Sequence, residues 1–184
     1  MRPKASGTAS WWGSRESSSC CSAVCGISIG AKNDAEARYL FPPSRAEQLP
    51  DSFAAGYDAS CRHIERIRQD AVDSLRLRPG ETVFDIACGT GNTILPMAES
   101  VGPSGRVVGV ELVPEMAAIT CGKLVAVGFD DRAAVHVSAA EDFTTDLCAD
   151  AMLFCYTHDV LRSPQAIKNL LRHAQPGCRI AVVW

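Results

Sequence analysis

The run Val83–Asn92, "VFDIACGTGN", constrains this chain more than any other stretch. A hydrophobic segment that only fills a core has no reason to end on an aspartate and then release small residues and two glycines. A strand that must bring its backbone against a ligand does. Gly89 and Gly91 can take backbone angles closed to other residues, and neither offers a Cβ to block a close approach. A helix is expected to start immediately afterwards, near Asn92. Its first N–H groups and partial positive charge suit a carboxylate or a phosphate.

The flanking pattern sets the fold class. Ile64, Ile67, Ala71 and Leu75 fall at helical spacing between charged residues, which predicts an amphipathic helix before the run. "RPGE" turns the chain into the strand "TVFDI". The helix that follows runs to about Val101, with Pro96 tolerable only in its first turn. "RVVGVE" is a second strand, and a helix runs from Pro114 towards Gly128. "AVHV" and the doubly apolar "DAMLFCY" are the third and fourth strands. Ser163-Pro164 forms an N-cap with proline at the first helical position. Ile167, Leu170, Leu171 and Ala174 make that helix's stripe, Pro176-Gly177 stops it, and "CRIAVVW" is a fifth strand. Strands alternating with helices predict an α/β fold, a Rossmann-like parallel sheet with helices on both faces. Ligands of such sheets bind beyond the carboxyl ends of the strands, where the strand order reverses, and "DIACGTGN" falls there.

Two acids narrow the ligand. Asp85, just before the loop, would repel a pyrophosphate but suits an ammonium or sulfonium. Glu111, at the end of the second strand, can accept two hydrogen bonds from a ribose diol. A nucleoside with a zwitterionic tail fits both, which describes S-adenosylmethionine. Composition excludes other classes. The 184 residues are 47% hydrophobic, enough for one core. A net charge of -3 and a pI near 5.8 argue against nucleic acid as the partner. No run approaches the ~20 apolar residues of a membrane helix. The nine cysteines are not in framework spacing, and Cys20, Cys21 and Cys25 lack a second pair at zinc spacing, so no metal is expected. Residues 1–35 read as a disordered tail or a transit peptide, and residues 36–184 as the S-adenosylmethionine-binding domain. The protein is then cytoplasmic, or organellar if the tail is a transit peptide.

"VFDIACGTGN" followed by "RVVGVELVPEM", with "AEDF" after the third strand and "LLRHAQPGCRIAVV" at the fifth, resembles the class I S-adenosylmethionine-dependent methyltransferases. The resemblance covers roughly Ser60 to Trp184. It implies that Asp85 and the backbone of Ala87, Gly89 and Gly91 hold the methionine part, with Thr90 lining the turn. Glu111 binds the ribose, Leu112 covers the adenine, and Ala140 with Glu141 or Asp142 reads the adenine edge. Tyr156 sits beside the methyl group. Ala87 stands where many members have a third glycine, and Ala139 where many have an acid.

Methyl transfer from a sulfonium needs alignment and dryness, and a base only if the nucleophile arrives protonated. His158, directly after the fourth strand, is the candidate base, with Asp159 either orienting it or capping the next turn. His136 and His173 read as structural. "YTHD" in place of an Asn/Asp-Pro-Pro-aromatic motif points to a small-molecule or lipid-like acceptor, similar to the quinone C-methyltransferase type, and Tyr57 lies where a lid would. The family sheet usually has seven strands. Here the usual strands six and seven are lacking, which suggests a fragment, or homo- or hetero-oligomer formation through an exposed fifth strand. The rival to an active enzyme is therefore a catalytically incomplete binding or regulatory module. A nicotinamide-dependent oxidoreductase fits less well, because its fingerprint wants glycine at Ile94 and no acid at Asp85.

Overall fold

The computed structural model describes residues 62–184. The tail, the boundary near residue 36, Cys20, Cys21, Cys25 and Tyr57 lie outside the described residues. A short 3-10 turn leads into helix α1 (Glu65–Ser74). Then follow β1 (Thr82–Ile86), α2 (Ile94–Val101), β2 (Arg106–Glu111), α3 (Pro114–Val127) and β3 (Ala133–Val137). The chain continues as β4 (Ala149–Cys155), α4 (His158–Arg162), α5 (Pro164–Leu171) and β5 (Ala174–Val183). The five strands form one parallel sheet in the order β3-β2-β1-β4-β5. The order reverses between β1 and β4, so the end of β1 is the switch point.

Strand alternation divides the core into two layers. Val83, Val107 and Leu153 face α1, α2 and α3 through Ala71, Val72, Met97, Val101 and Leu124. Phe84, Ile86, Val108, Val110, Met152 and Phe154 face the other way, onto Ala166 and Leu170 of α5. Phe143, fully buried, closes that second layer. Its ring meets Phe84, His136 and His173 edge-on at 5.6, 5.4 and 5.6 Å. Both histidines thus have packing roles, and burial lowers the pKa of each. By the same alternation Asp85, Gly109, Glu111 and Cys155 all project towards the α1–α3 layer.

Several local expectations shift. On α1 the buried face is Arg68, Ala71 and Val72, continued by Leu75, whereas Ile67 is 42% exposed. The helix after the glycine loop starts at Ile94, which leaves Pro96 in its first turn as required. Ser163 caps α5 by accepting a hydrogen bond from the Ala166 N–H at 3.2 Å. That helix ends at Leu171, and Ala174 belongs to β5 rather than to the helical stripe. Pro176-Gly177 does not precede the fifth strand but lies within it. Ala149 pairs with Ala174 and Ala151 with Arg179, so two steps along β4 match five along β5. An edge strand tolerates such an irregularity because its outer backbone groups have no ladder to lose. Ile180, Val182 and Trp184 on β5 and just beyond it are exposed.

Candidate functional site

The end of β1, the glycine loop and the end of β2 are joined through buried side chains. Thr93 donates from its hydroxyl to Asp85 Oδ2 at 2.5 Å. Glu111 Oε2 accepts the Gly89 N–H at 2.7 Å and its Oε1 accepts the Val113 N–H at 2.9 Å. Thr120, on α3, donates to the Gly89 carbonyl at 2.9 Å. Lys123 Nζ donates to Asn92 Oδ1 at 2.8 Å. The loop is therefore held from both sides, by the β2 carboxylate and by the α3 hydroxyl.

Close packing explains its small residues. Gly91 has φ +80, and a Cβ there would lie 2.5 Å from Thr120 Cγ2. A Cβ on Gly109 would meet Ile94 Cδ1 at 2.6 Å and Cys88 Sγ at 2.8 Å, so the loop and α2 press directly on the β2 backbone. Ala87 takes φ +54 and Tyr156 φ +58. Left-handed backbone costs a non-glycine residue about 1–2 kcal/mol. Ala87 directly follows Ile86, and Tyr156 lies two residues after Phe154, the partner of Ile86 on β4. Strain thus collects at the carboxyl ends of adjacent strands, where functional sites store it.

The acids are unusual in their electrostatics. Asp85 is 1% exposed, and burial pushes its carboxyl from an ordinary 3.8 up to about 7. The Thr93 hydroxyl opposes that rise, the Glu111 charge adds to it, and the Arg68 guanidinium opposes it. Burial also raises Glu111, against the backbone N–H groups of Val113, Gly89 and Leu112. The charge of Asp159, in the first turn of α4, adds a smaller rise. Burial drives the Cys88 thiol well above its usual range and Cys155 to about 11. Neither thiol is a nucleophile near neutral pH.

The other expected site residues lie around this centre. Thr90 is buried in the loop beside Asp85, in a cavity of about 30 Å3 that Arg68, Ala87, Asn92 and Cys155 also line. Leu112 is half-buried after β2. Ala140 is buried, and its carbonyl accepts the Asn169 amide at 3.0 Å. Glu141 Oε1 accepts the Ser163 hydroxyl at 2.7 Å, which ties the loop after β3 to the cap of α5. Asp142 is exposed. Tyr156 is half-buried, and His158 is exposed as the first residue of α4, a short helix the sequence did not announce. The Gly89 N–H is engaged by Glu111, and the Gly91 N–H by the Cys88 carbonyl at 3.1 Å.

Sequence reasoning missed four residues here. Thr93 and Thr120 clamp Asp85 and the loop. Arg68 is buried in the cavity. Thr157, at the end of β4, is 2% exposed, and its hydroxyl is unpartnered. Only Thr120 had a local signal, a hydroxyl four residues after Met116 on the buried side of α3. Among the described residues no group of His, Cys, Asp or Glu is placed to hold a metal, and no helix is long and apolar enough to cross a membrane.

Comparison with known proteins accords with this geometry. The methyltransferase domain family matches residues 83–177, from β1 into β5. The chain belongs to that family, with the class I Rossmann-like fold. A demethylmenaquinone methyltransferase from Symbiobacterium thermophilum is 28% identical over 151 residues, covering 75% of this chain and 60% of that protein. The 23S rRNA (uracil(1939)-C(5))-methyltransferase RlmD of Acinetobacter baylyi is 41% identical over 80 residues, 44% of this chain and 16% of that protein. The chain thus spans less than two thirds of the length of these relatives. Among solved structures, a SAM dependent methyltransferase from Aquifex aeolicus superposes with a TM-score of 0.59 at 22% identity, covering 70% of this chain and 69% of that one. At that identity the likeness speaks to the fold.

Proposed function

We propose that this chain binds S-adenosylmethionine at the carboxyl ends of β1, β2 and β4 and transfers its methyl group to a small-molecule or lipid-like acceptor of the quinone type. The observation that carries the reading is the pair of buried carboxylates, Asp85 and Glu111, on one face of adjacent strands and laced to the glycine loop. Buried acids with raised pKa values are costly, and such groups cluster where a ligand is bound. The donor set fits the cofactor. Asp85 offers a carboxylate to its ammonium. Glu111 accepts one backbone N–H on each oxygen and keeps lone pairs for a ribose diol.

When bound, the cofactor supplies an activated methyl group on a sulfonium. The chain's own residues then hold, align and exclude water. Gly89 and Gly91 contribute through their missing Cβ, since their N–H groups are already engaged. Ala87 and Thr90 shape the loop, Leu112 covers the adenine, and Ala140 with Glu141 reads its edge. Tyr156 stands at the end of β4, beside the reacting centre. His158, exposed after β4, takes the proton of an acceptor that arrives protonated. The quinone-type acceptor is supported by the named activity of the Symbiobacterium relative, and the acidic pI favours it over nucleic acid.

The test is release of S-adenosylhomocysteine from S-adenosylmethionine with a panel of demethylated quinols and phenols. Release above the blank with a quinol, reduced in a His158→Ala variant, is expected. Cofactor binding without release for any acceptor would replace this reading with that of a non-catalytic binding module.

A further inference from the structure

Thr157 carries a buried polar group that the fold leaves unused. It lies just beyond the end of β4 at 2% exposure, between a half-buried Tyr156 and an exposed His158. Its hydroxyl has no hydrogen-bond partner. A threonine at a helix N-cap ordinarily accepts a backbone N–H from the first turn. Thr157 holds the N-cap position of α4, yet its side chain accepts none, and only its carbonyl is used, by the Leu161 N–H at 3.1 Å. A buried hydroxyl without a partner costs stability, and valine fills the same shape without that cost, so a merely structural position has no use for threonine. The backbone fixes the residue in place. Tyr156 takes φ +58, and its N–H donates to the Val183 carbonyl of β5 at 2.8 Å. The element that follows is lightly held. α4 has five residues, none of them buried, and its Val160 and Leu161 only partly pack against the second core layer. Such elements open at low free energy. The buried carboxylates assigned to the cofactor lie on β1 and β2, whereas β4 flanks β1 on its other side.

We propose that the Thr157 hydroxyl is kept for the acceptor, as the hydrogen-bond partner of an oxygen on its ring, and that it selects oxygen-bearing aromatic acceptors over hydrocarbons of the same shape. The inference rests on the reading that the strand ends take a quinone-type acceptor, and it names the group that recognises that acceptor's oxygen. A hydroxyl serves both redox forms of such a ring. It donates to a quinone carbonyl, and it donates to or accepts from a quinol or phenol. Because the hydroxyl is enclosed, α4 tilts away as the oxygen arrives, and pairing the unpartnered group offsets the opening. A site with a buried polar group rejects an analogue that leaves it unpaired. Thr157 binds the acceptor without taking its proton, a role distinct from that of His158.

The experiment uses the full chain saturated with S-adenosylhomocysteine. It compares two probes of one shape, 1-naphthol and 1-methylnaphthalene, by fluorescence titration of wild type, Thr157→Val and Thr157→Ser. Thr157→Val should lower the preference for the naphthol about threefold to tenfold relative to wild type, the range that one hydrogen bond implies. Thr157→Ser should keep most of that preference. The same preference in all three proteins would overturn the inference. So would a Thr157→Val variant that weakens both probes alike, the mark of a structural residue. A Thr157→Val variant less stable than wild type would overturn it too, because the hydroxyl would then be satisfied by a buried water without an acceptor. Folded, saturated wild type that binds neither probe would overturn it together with the aromatic-acceptor reading, a result distinct from binding without discrimination.

Discussion

Asp85→Asn should make this protein more stable at alkaline pH while removing its ligand site. Burial lifts the Asp85 carboxyl from 3.8 to about 7, and each unit is worth 1.36 kcal/mol, so the full shift corresponds to about 4 kcal/mol. The sign follows from proton counting. Between these two values the folded chain holds a proton that the unfolded chain has released. The associated stability is therefore fully present below about 3.8 and lost as pH rises through about 7. Glu111, also raised by burial, pushes the same way. Asparagine stays neutral at every pH, and its amide oxygen can still accept the Thr93 hydroxyl. Urea unfolding of both proteins at pH 5 and pH 8 should show the difference moving in favour of the variant by about 3 kcal/mol across that interval. Over the same interval the wild type should gain affinity for S-adenosylmethionine as Asp85 ionises, and the variant should not. A stability difference that ignores pH, or that turns against asparagine as pH rises, would refute the buried-acid argument.

Three further substitutions probe the loop and its neighbours. Gly91→Ala should cost about 2–4 kcal/mol by thermal unfolding, because it adds a Cβ 2.5 Å from Thr120 Cγ2 at φ +80. Ala87→Gly should gain about 0.5–1 kcal/mol in the same assay, since relief of its φ of +54 exceeds the added entropy of an unfolded glycine. Thr157→Val should also stabilise, by about 1–2 kcal/mol, because the buried hydroxyl has no partner and valine keeps its shape. If that variant is less stable instead, the hydroxyl is satisfied in solution.

What the sequence disclosed and what it hid follow a physical line. Asp85 and the two loop glycines were legible because a strand end and a turn are local events within a few residues of one another, and Glu111 because it is the charge that ends the next apolar strand. The doubly wound sheet was legible because its strands are continuous apolar runs separated by helical periods. Arg68, Thr93, Thr120 and Thr157 were not, since each is a polar residue whose partner or cavity is assembled only by the fold. Arg68 also sits one step from the apolar stripe read on α1, and the helix turns so that it is buried and Ile67 is not. Phe143 was hidden inside "AEDF", where the acids drew notice and the phenylalanine holds the second core layer together. Pro176-Gly177 read as a stop because proline rarely enters a strand. It lies inside β5 because that strand is at the sheet edge.

The central claim is that Asp85 and Glu111 form a site for S-adenosylmethionine, and calorimetric titration with that ligand tests it most directly. Wild type should bind at a single site, and Asp85→Ala and Glu111→Ala, each confirmed as folded by circular dichroism, should abolish the heat of binding. Folded wild type that gives no binding, or variants that bind as tightly as wild type, would contradict the account.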